Sequence, residues 1–383
     1  MNSRERVIAA IEHRRPDRVP LWLWLEPHTT VKMALHYRKP RRFLLRKLME
    51  LTDRGTRELP TEELRNAAPL AVYPFQLSYL RELGSDILDL QWSPLIYVPR
   101  KVWTEKGKLR FRDYYGTTRG IGGIYMESVD FVCKSPEDLK RYRFPDASNP
   151  LHFEHIRWIR RAFPGACILV WSPGVQDWSQ SWMGIENLYV WMVEYPEVIK
   201  DFFGKMTDHT LQIIRGAMKA GADVIIMGDD YGNQRSLMIS KPMWEEFTYP
   251  CLRRQIETIH ECGGKALLHS CGTVAPLLDR FVEAGLDALH PFQTLPGNNL
   301  EEAVRDFGER LAFLTGIDVQ KAPEMTPEQL RRDIIRTWRT AGGNGGVVLT
   351  TTNFLQYDTP IENIREIFRT VKDIQTGRVK ADD

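Results

Sequence analysis

The chain has 383 residues, a length that suits two or three domains or one enlarged α/β barrel. It carries 52 Lys and Arg against 50 Asp and Glu, so its net charge of +2 lacks the basic excess of a nucleic-acid-binding protein. Hydrophobic residues make up 43% and charged residues 27% of the chain, which excludes a mainly disordered protein.

Targeting signals and cysteine usage indicate the compartment. The stretch Met1 to Pro20 is rich in charge and lacks the apolar core of a signal peptide, and no run of about 18 apolar residues occurs in the chain. The five cysteines are scattered and odd in number, which argues against a disulfide framework. We therefore expect a cytoplasmic protein that has neither a membrane nor nucleic acid as a partner.

Apolar runs of strand length recur along the chain. A first helix, with Ser3 as its N-cap, is predicted to end before Pro16. From the third strand onward, each consecutive pair of strands brackets one segment of helix length. The predicted strands are Val19–Glu26, Asp86–Gln91, Ala166–Trp171, Ala222–Gly228, Lys265–Ser270, Asp287–Phe292, Leu311–Gly316 and Gly346–Thr351.

Eight such units predict an α/β fold, a (β/α)8 TIM barrel that forms a single domain over residues 1–383. The alternative is an open doubly wound sheet, but the Gly-rich turn that usually follows its first strand does not occur in this sequence.

Two segments are too long to be single connections in this alternation of strands and helices. Pro27–Ser85 predicts an N-terminal helical extension, and Val98–Gly123 predicts a β-hairpin insertion between strands 2 and 3, with turns at Lys106-Gly107 and Tyr115-Gly116. The first segment contains a basic stretch that we interpret as a solvated helix face, the alternative being a site for a carboxylated ligand or an acidic partner. This stretch consists of Arg38, Lys39, Arg41, Arg42, Arg46 and Lys47.

The carboxyl ends of the strands are where (β/α)8 barrels carry their chemistry. His269 and Cys271 are two residues apart at such an end, so their side chains point to the same side, with Cα atoms about 6 to 7 Å apart. An imidazole and a thiolate suit zinc, which requires further ligands from neighbouring strands. The alternative is a packed strand end in which Cys271 is a small apolar residue.

The neighbouring Asp229 and Asp230 face opposite ways on an extended chain, so we expect a chemical role for one of them. A carboxylate at a barrel mouth can accept a proton, orient an imidazole or bind a cation, and the alternative is a cap on a helix. Several tryptophans are candidates for lining a flat apolar cavity that takes a ring-bearing or methylated substrate, with core packing as the alternative. They are Trp22, Trp24, Trp171, Trp178 and Trp182.

Motifs along nearly the whole chain resemble the uroporphyrinogen decarboxylase (URO-D) superfamily, which includes cobalamin-dependent methyltransferases. The resemblance implies a TIM barrel. The matching stretches are Ser3–Val7, Pro16–Pro20, Gly221–Asp223, Gly228–Asp230, Met238–Ser240 with Trp244, His269–Gly272, Pro291–Gln293 and Asp358–Asn363.

The methyltransferase branch, which this chain resembles most, holds zinc with a His-x-Cys pair and a later Cys, and exchanges a methyl group with a corrinoid. His269 and Cys271 match the pair, whereas Asn353 stands where the later Cys is expected and Gln293 where some members have an acidic ligand. The decarboxylase branch has an arginine-rich segment after the first strand. This chain has Trp22–Glu26 in that place, and Glu26 would repel a substrate carboxylate.

The resemblance thus implies a methyltransferase of the demethylase type, with an O-, N- or S-methylated small molecule and a corrinoid protein as partners, and a homodimer as one compatible assembly. The alternatives are a decarboxylase or lyase acting on a non-tetrapyrrole carboxylic acid, and a non-catalytic binding member. The expected catalytic residues are Asp230 and His269, and the expected zinc ligands are His269 and Cys271. The expected substrate contacts are Trp24, Glu26, Trp171, Trp178, Asp229, Gln293 and Asn353.

Overall fold

The computed structural model describes residues 1–41, 43–58, 73–122, 125–343 and 345–381. Its strands are β1 (Leu21–Trp22), β2 (Ile87–Gln91), β3 (Lys101–Glu105), β4 (Lys108–Arg112), β5 (Thr118–Gly122), β6 (Tyr125–Asp130), β7 (Cys167–Pro173), β8 (Val224–Gly228), β9 (Lys265–His269), β10 (Ala288–His290), β11 (Ala312–Ile317) and β12 (Val347–Thr351).

The α-helices in the described ranges alternate with most of these strands. They are α1 (Ser3–Ile11), α2 (Pro27–His36), α3 (Phe43–Glu58), α4 (Tyr73–Leu83), α5 (Pro136–Arg141), α6 (Glu154–Ala162), α7 (Gln176–Met183), α8 (Ile185–Glu194), α9 (Pro196–Ala220), α10 (Lys241–Phe247), α11 (Tyr249–Glu261), α12 (Leu278–Glu283), α13 (Leu300–Phe307), α14 (Pro327–Thr340) and α15 (Ile361–Gln375). Within the same ranges, none of these helices has the length and apolar character needed to cross a bilayer.

Eight parallel strands confirm the predicted (β/α)8 TIM-barrel fold. They follow the order β1-β12-β11-β10-β9-β8-β7-β2, so β1 and β2 are the two ends of the sheet. Near this gap, the Asp86 N–H donates to the Leu21 carbonyl at 2.7 Å and the Leu23 N–H donates to Ser85 Oγ at 3.2 Å. These bonds leave the barrel nearly closed.

The chain divides into two compact units. The first comprises Met1–Asp89, Gly165–Cys167 and Asp287–Asp383, and the second comprises Leu90–Pro164 and Ile168–Leu286. The organisation of residues 1–383 as a single domain stays a prediction.

A buried ion network supports the first unit. The Asp86 carboxylate is 1% exposed and accepts hydrogen bonds from Arg6 Nη1 at 2.8 Å, Arg18 Nη2 at 2.8 Å and Ser3 Oγ at 2.7 Å. The prediction of Ser3 as the first N-cap is therefore wrong. Asn2 takes that role, because its side chain accepts the Glu5 N–H and the Glu5 side chain accepts the Asn2 N–H in a capping box.

The first barrel strand is shorter than predicted. Pairing with β12 covers Leu21 and Trp22, and a single parallel bridge at Leu25 follows. The end of the predicted strand, Glu26, is instead the N-cap of α2, with Pro27 at the first helical position. Its side chain accepts the His28 N–H at 3.1 Å, which starts a helix where the apolar run indicated a longer strand.

The basic stretch does not form one helix face, so that interpretation is wrong. Its members Arg38, Lys39 and Arg41 lie between α2 and α3, and Arg46 and Lys47 lie on α3. Arg42 lies outside the described residues.

The second unit contains β7 to β9 and a separate antiparallel sheet. The predicted hairpin insertion is confirmed and is larger than expected, because β3, β4, β5 and β6 form a four-stranded meander. Its register places Val102 opposite Phe111, and Phe111 opposite Arg119. Gly123, the predicted end of the insertion, lies outside the described residues.

Candidate metal centre

Two neighbouring strands of the second unit position the polar residues of the site. β8 and β9 are parallel, and Gly228 at the end of β8 pairs in register with His269 at the end of β9. Because the carboxyl ends of parallel strands meet at one edge, Asp230 and Cys271, which follow these strands, lie side by side.

The ligand atoms of Asp230, His269 and Cys271 all lie within 4.8 Å of one another. Cys271 Sγ is 3.6 Å from His269 Nε2, and that nitrogen is 3.7 Å from Asp230 Oδ1. Tetrahedral zinc, with Zn–S near 2.3 Å and Zn–N near 2.0 Å, requires about 3.6 Å between sulphur and nitrogen. The donor types and the sulphur–nitrogen distance therefore fit zinc, and no second group of three such ligands occurs in the chain as described.

Hydrogen bonding fixes the position of these side chains, and burial shifts their pKa values. The Cys271 N–H donates to Asp230 Oδ1 at 2.7 Å, which fixes the carboxylate beside the thiol. Burial lowers the pKa of His269 to about 3, so its imidazole is neutral at pH 7, as a metal ligand must be. Burial also raises the pKa of Asp230, an effect that the Cys271 amide opposes.

The loops after β8 and β9 are packed backbone against backbone. The Thr273 N–H donates to the Asn233 carbonyl at 2.8 Å, and the Tyr231 N–H donates to Ser270 Oγ at 2.9 Å. Gly272 has a φ of +83°, and a Cβ there would overlap the carbonyl group of Gly232. A side chain at this position would push apart the two loops that carry the ligands.

The Asp229 carboxylate has different hydrogen-bond partners from the Asp230 carboxylate. Its buried carboxylate accepts the N–H groups of Val175 at 3.0 Å, Gln176 at 3.2 Å and Asp177 at 2.6 Å, at the start of α7. Burial raises the pKa of Asp229 to about 7, although these amides act in the opposite direction. Its contact with substrate stays a prediction.

Two of the predicted tryptophans lie beside the ligand group. The ring centroids of Trp171 and His269 are 5.4 Å apart in an edge-to-face arrangement, which holds the imidazole in one orientation. A Cβ at Gly228 would lie 3.3 Å from the Trp171 ring and 3.8 Å from Trp178 Nε1, so both indoles approach the end of β8. Trp182, by contrast, is 1% exposed and belongs to the core.

In the first unit, aromatic rings collect at the strand ends. Trp24 stacks on Trp22 with centroids 5.7 Å apart, and its centroid is 4.0 Å from that of Phe354. His290 lies against Trp24 and its Nε2 bonds to the Thr351 carbonyl at 2.9 Å. This cluster is a largely buried aromatic group at the strand ends of the first unit.

The other predicted substrate contacts also lie in the first unit. Glu26 caps α2 and pairs through Oε1 with His28 Nδ1. The Gln293 carbonyl accepts the Asn298 Nδ2–H at 3.0 Å, and Asn353 Oδ1 accepts the Phe354 N–H at 2.7 Å. The third ligand-type atom of the metal group thus comes from Asp230 in the second unit, and the roles of Glu26, Gln293 and Asn353 stay predictions.

Sequence reasoning assigned no role to Asp177, at the first turn of α7. Burial and the Asp230 and Asp229 carboxylates raise the pKa of Asp177 to about 8. A side chain that lies beside a cavity with such a shift is a candidate functional residue. The available signal was its place directly after β7 and beside Trp178, but the sequence does not reveal the two carboxylates that approach it.

The fold and the site define an α/β protein of the (β/α)8-barrel class with a candidate metal centre at its strand ends. Residues 127–374 match the family model described as "Uroporphyrinogen decarboxylase (URO-D)". The chain therefore belongs to the URO-D family of enzymes, and the resemblance to this superfamily is confirmed.

Relatives and a solved structure support this assignment. The chain is 24% identical over 379 residues to a uroporphyrinogen decarboxylase from Anaeromyxobacter dehalogenans (strain 2CP-C), covering 94% of this chain and 96% of that one. It is 26% identical over 186 residues to the enzyme from Trichodesmium erythraeum (strain IMS101), covering 47% and 49%. A solved methyltransferase from Methanosarcina mazei has the same fold, with a TM-score of 0.68, 15% identity, and coverage of 97% of this chain and 99% of that one.

Proposed function

We propose that the protein is a corrinoid-dependent methyltransferase of the demethylase type. It would move a methyl group between an O-, N- or S-methylated small molecule and a corrinoid carried by a partner protein. The observation that supports this function is the group of Asp230, His269 and Cys271, whose ligand atoms lie within 4.8 Å. The Methanosarcina mazei protein is a methyltransferase, but its likeness concerns the fold, so the proposal depends on the ligand group.

The three residues would hold a zinc ion, which would supply Lewis acidity toward the substrate heteroatom and keep a coordination position for it. His269 contributes a neutral imidazole, oriented by Trp171. Asp230, held by the Cys271 amide, contributes a carboxylate that can also take up a proton near the reacting atoms. Both residues would be catalytic, since they would act on the substrate or on the ion that binds it.

The remaining substrate contacts belong to the same proposal. Trp171 and Trp178 would position the methyl-bearing group, and Asp229 would do so through the start of α7, which its carboxylate holds. In the first unit, the proposed contacts are Trp24, Glu26, Gln293 and Asn353. The proposed partners are the methylated substrate, the corrinoid protein and, in a homodimer, a second copy of the chain.

Metal analysis of the purified protein is the direct test. Wild-type protein, prepared under reducing conditions and reconstituted with zinc, should hold about one zinc per chain. His269→Ala and Cys271→Ala should lose the metal, whereas Cys262→Ala, at an exposed cysteine, should retain it. Absence of zinc from the reconstituted wild type would overturn the metal-based function.

Activity is tested by mixing the protein with reduced corrinoid and methylated compounds. Wild type should produce the demethylated compound together with a change in corrinoid absorbance, and Cys271→Ala should produce neither. Demethylation by Cys271→Ala at the wild-type rate would show that the ligand group has no part in the reaction.

A second candidate function is decarboxylation, or a related lyase step, on a non-tetrapyrrole acid. Its support is the Anaeromyxobacter dehalogenans relative, a decarboxylase that aligns with nearly the whole chain. Carbon dioxide release without corrinoid, by protein free of zinc, would favour this reaction over methyl transfer. Ligand binding without product in either assay would instead favour a non-catalytic binding member.

A further inference from the structure

The second unit contains a cavity of about 490 Å³ between the antiparallel sheet and α7. This volume lies in the range of about 300 to 1,000 Å³ that small-molecule sites occupy. Apolar and aromatic side chains line it together with Gln91, Asp113, Arg119, Asp177 and Ser181.

One wall is a face of the sheet. Val102, Phe111 and Arg119 stand opposite one another on β3, β4 and β5, and Leu109 shares the face of Phe111 because it is two residues away on the same strand. All four line the cavity. This wall offers a broad apolar surface to the body of a ligand.

The other wall consists of α7 and the turn between β4 and β5. Asp177, Trp178 and Ser181 line it from α7, and Tyr115 lines it from the turn. The Tyr115 and Trp178 rings are 6.4 Å apart and nearly perpendicular, with an interplanar angle of 83°. A carboxyl group beside two electron-rich rings is the arrangement that binds organic cations.

The charged side chains Arg119 and Asp177 of the cavity lining differ in how they are compensated. Arg119 is already paired, since its Nε donates to Asp113 Oδ2 at 2.8 Å and its Nη1 donates to Ser128 Oγ at 2.6 Å. Asp177 accepts a hydrogen bond from Gln180 Nε2 at 3.3 Å, but no Lys or Arg of the described ranges forms an ion pair with it. Asp177 therefore lacks a positively charged partner within these ranges.

The proposed metal does not supply this charge. A zinc ion bound by the Cys271 thiolate and the Asp230 carboxylate forms a group without net charge, because the ligands already balance the ion. The neighbouring Asp229 carboxylate accepts hydrogen bonds from the backbone N–H groups of Val175, Gln176 and Asp177 and from the Tyr231 side chain, none of which carries a positive charge. Burial and these carboxylates raise the pKa of Asp177 to about 8, so its carboxyl group is largely protonated at pH 7, and an organic cation in the cavity would be the partner that favours its ionised form.

We propose that this cavity binds the substrate through an organic cation, an ammonium group beside Asp177, Trp178 and Tyr115 with an apolar body against Val102, Leu109 and Phe111. This inference rests on the proposed methyltransferase function and narrows its substrates to amines whose ammonium group serves for recognition, while a separate O, N or S atom carries the methyl group to the zinc.

Calorimetric titration with two probes of similar size tests the proposal on the full chain. Benzyltrimethylammonium carries a permanent positive charge, whereas benzyl methyl ether is neutral. Wild type should bind the cation at least about tenfold more tightly than the ether, because only the cation is attracted to the Asp177 carboxylate and to the Trp178 and Tyr115 rings. Equal affinity for the two probes would overturn the proposal.

Substitutions in the cavity lining, and one control outside it, test whether the cation binds in the cavity. Asp177→Asn, which preserves the acceptor for Gln180 but removes the negative charge, should weaken binding of the cation about 10- to 100-fold and leave the ether unaffected. Gln91→Glu adds a carboxylate to the cavity lining without changing its shape, and should tighten binding of the cation about 2- to 5-fold. Asp208→Asn, at an exposed carboxylate of α9, is the matched control and should bind both probes as wild type does. Unchanged cation binding in both cavity variants would contradict the proposal.

The same titration on Cys271→Ala separates this inference from the proposed function. The cavity lining does not include Cys271, so this variant should bind the cation as wild type does. Cation binding by wild-type protein that shows no methyl transfer would support the cavity assignment and overturn the methyltransferase. Demethylation of neutral ethers by a protein that does not bind the cation would support the methyltransferase and overturn the assignment of an amine substrate.

Discussion

The two units differ in how the charges of their buried and half-buried carboxylates are compensated. In the first unit, Asp86 is fully paired with Arg6 and Arg18, and the Glu26 carboxylate caps α2. In the second unit, the partners of the Asp230 carboxylate are the Cys271 amide and the neutral imidazole of His269. The Asp177 side chain accepts a hydrogen bond from the neutral amide of Gln180. Ionisable groups that lack counter-charges in a partly buried place are costly, so they make Asp230 and Asp177 candidates for ligand binding.

This comparison separates structural charges from functional ones. A paired charge in the first unit should contribute to stability, and its removal should unfold the protein more easily. An unpaired charge in the second unit should contribute little to stability, and its removal should affect ligand binding instead.

The largest effect is expected at the ion network of the first unit. Asp86→Ala should lower the free energy of unfolding by about 3 to 5 kcal/mol, because it leaves the Arg6 and Arg18 side chains without their shared partner. Urea denaturation measures this change, with Asp306→Ala, at an exposed carboxylate, as the control. A loss of less than about 1 kcal/mol would show that Asp86 is not structural, and the comparison between the units would fail.

The second effect concerns the backbone contact that holds the ligand loops. Gly272→Ala should lower the free energy of unfolding by about 1 to 3 kcal/mol and reduce zinc retention, because the new Cβ meets the Gly232 carbonyl and φ is positive. Gly263→Ala is the matched control, since its φ is also positive but nothing lies within 4 Å of its Cβ position. Equal losses in the two variants would attribute the effect to backbone conformation alone.

A third effect depends on pH. Burial lowers the pKa of His209 to about 4, against 6.5 in the unfolded chain, so the unfolded state binds more protons between these values. Stability should therefore fall as the pH drops from 7 to 5, by about 2 kcal/mol from this histidine. Unfolding of His209→Asn should depend less on pH over this range, whereas His36→Asn, at an exposed histidine of the first unit, should behave as wild type does. The same pH dependence in His209→Asn would assign it to other groups.

The smallest change in stability is expected at Asp230. Asp230→Asn should weaken zinc binding by about tenfold or more, which corresponds to about 1.4 kcal/mol, while the melting temperature of the metal-free protein stays unchanged. Competition with a chelator measures the affinity, and a thermal melt measures the stability. Unchanged zinc affinity would remove Asp230 from the ligand set, and a large loss of stability would make it a structural charge like Asp86.

Much of the barrel was predictable because its signals are local. Apolar runs of strand length alternate with helix-sized segments, and each predicted strand overlaps an observed one. The errors occurred at element ends, where one hydrogen bond decides the outcome. Asn2 rather than Ser3 caps α1, and Glu26 begins α2 where the apolar pattern continued as a strand.

The candidate site was predictable in part. The spacing of His269 and Cys271 placed both side chains on one side of a strand, because the side-chain period of a strand is two. The approach of Asp230 to this pair depends on the register of β8 against β9, which pairs Gly228 with His269. Nothing local to Asp177 shows that two other carboxylates lie near it.

The sequence by itself determined the repeating strands and helices and the identity of the ligand-type side chains, since both follow from the order of residues along the chain. Only the tertiary structure decided which of these side chains meet, because strand register and backbone contacts join residues about forty positions apart, such as Asp230 and Cys271. It also decided which buried charges have partners, and this distinction separates the Asp86 network from the candidate metal centre.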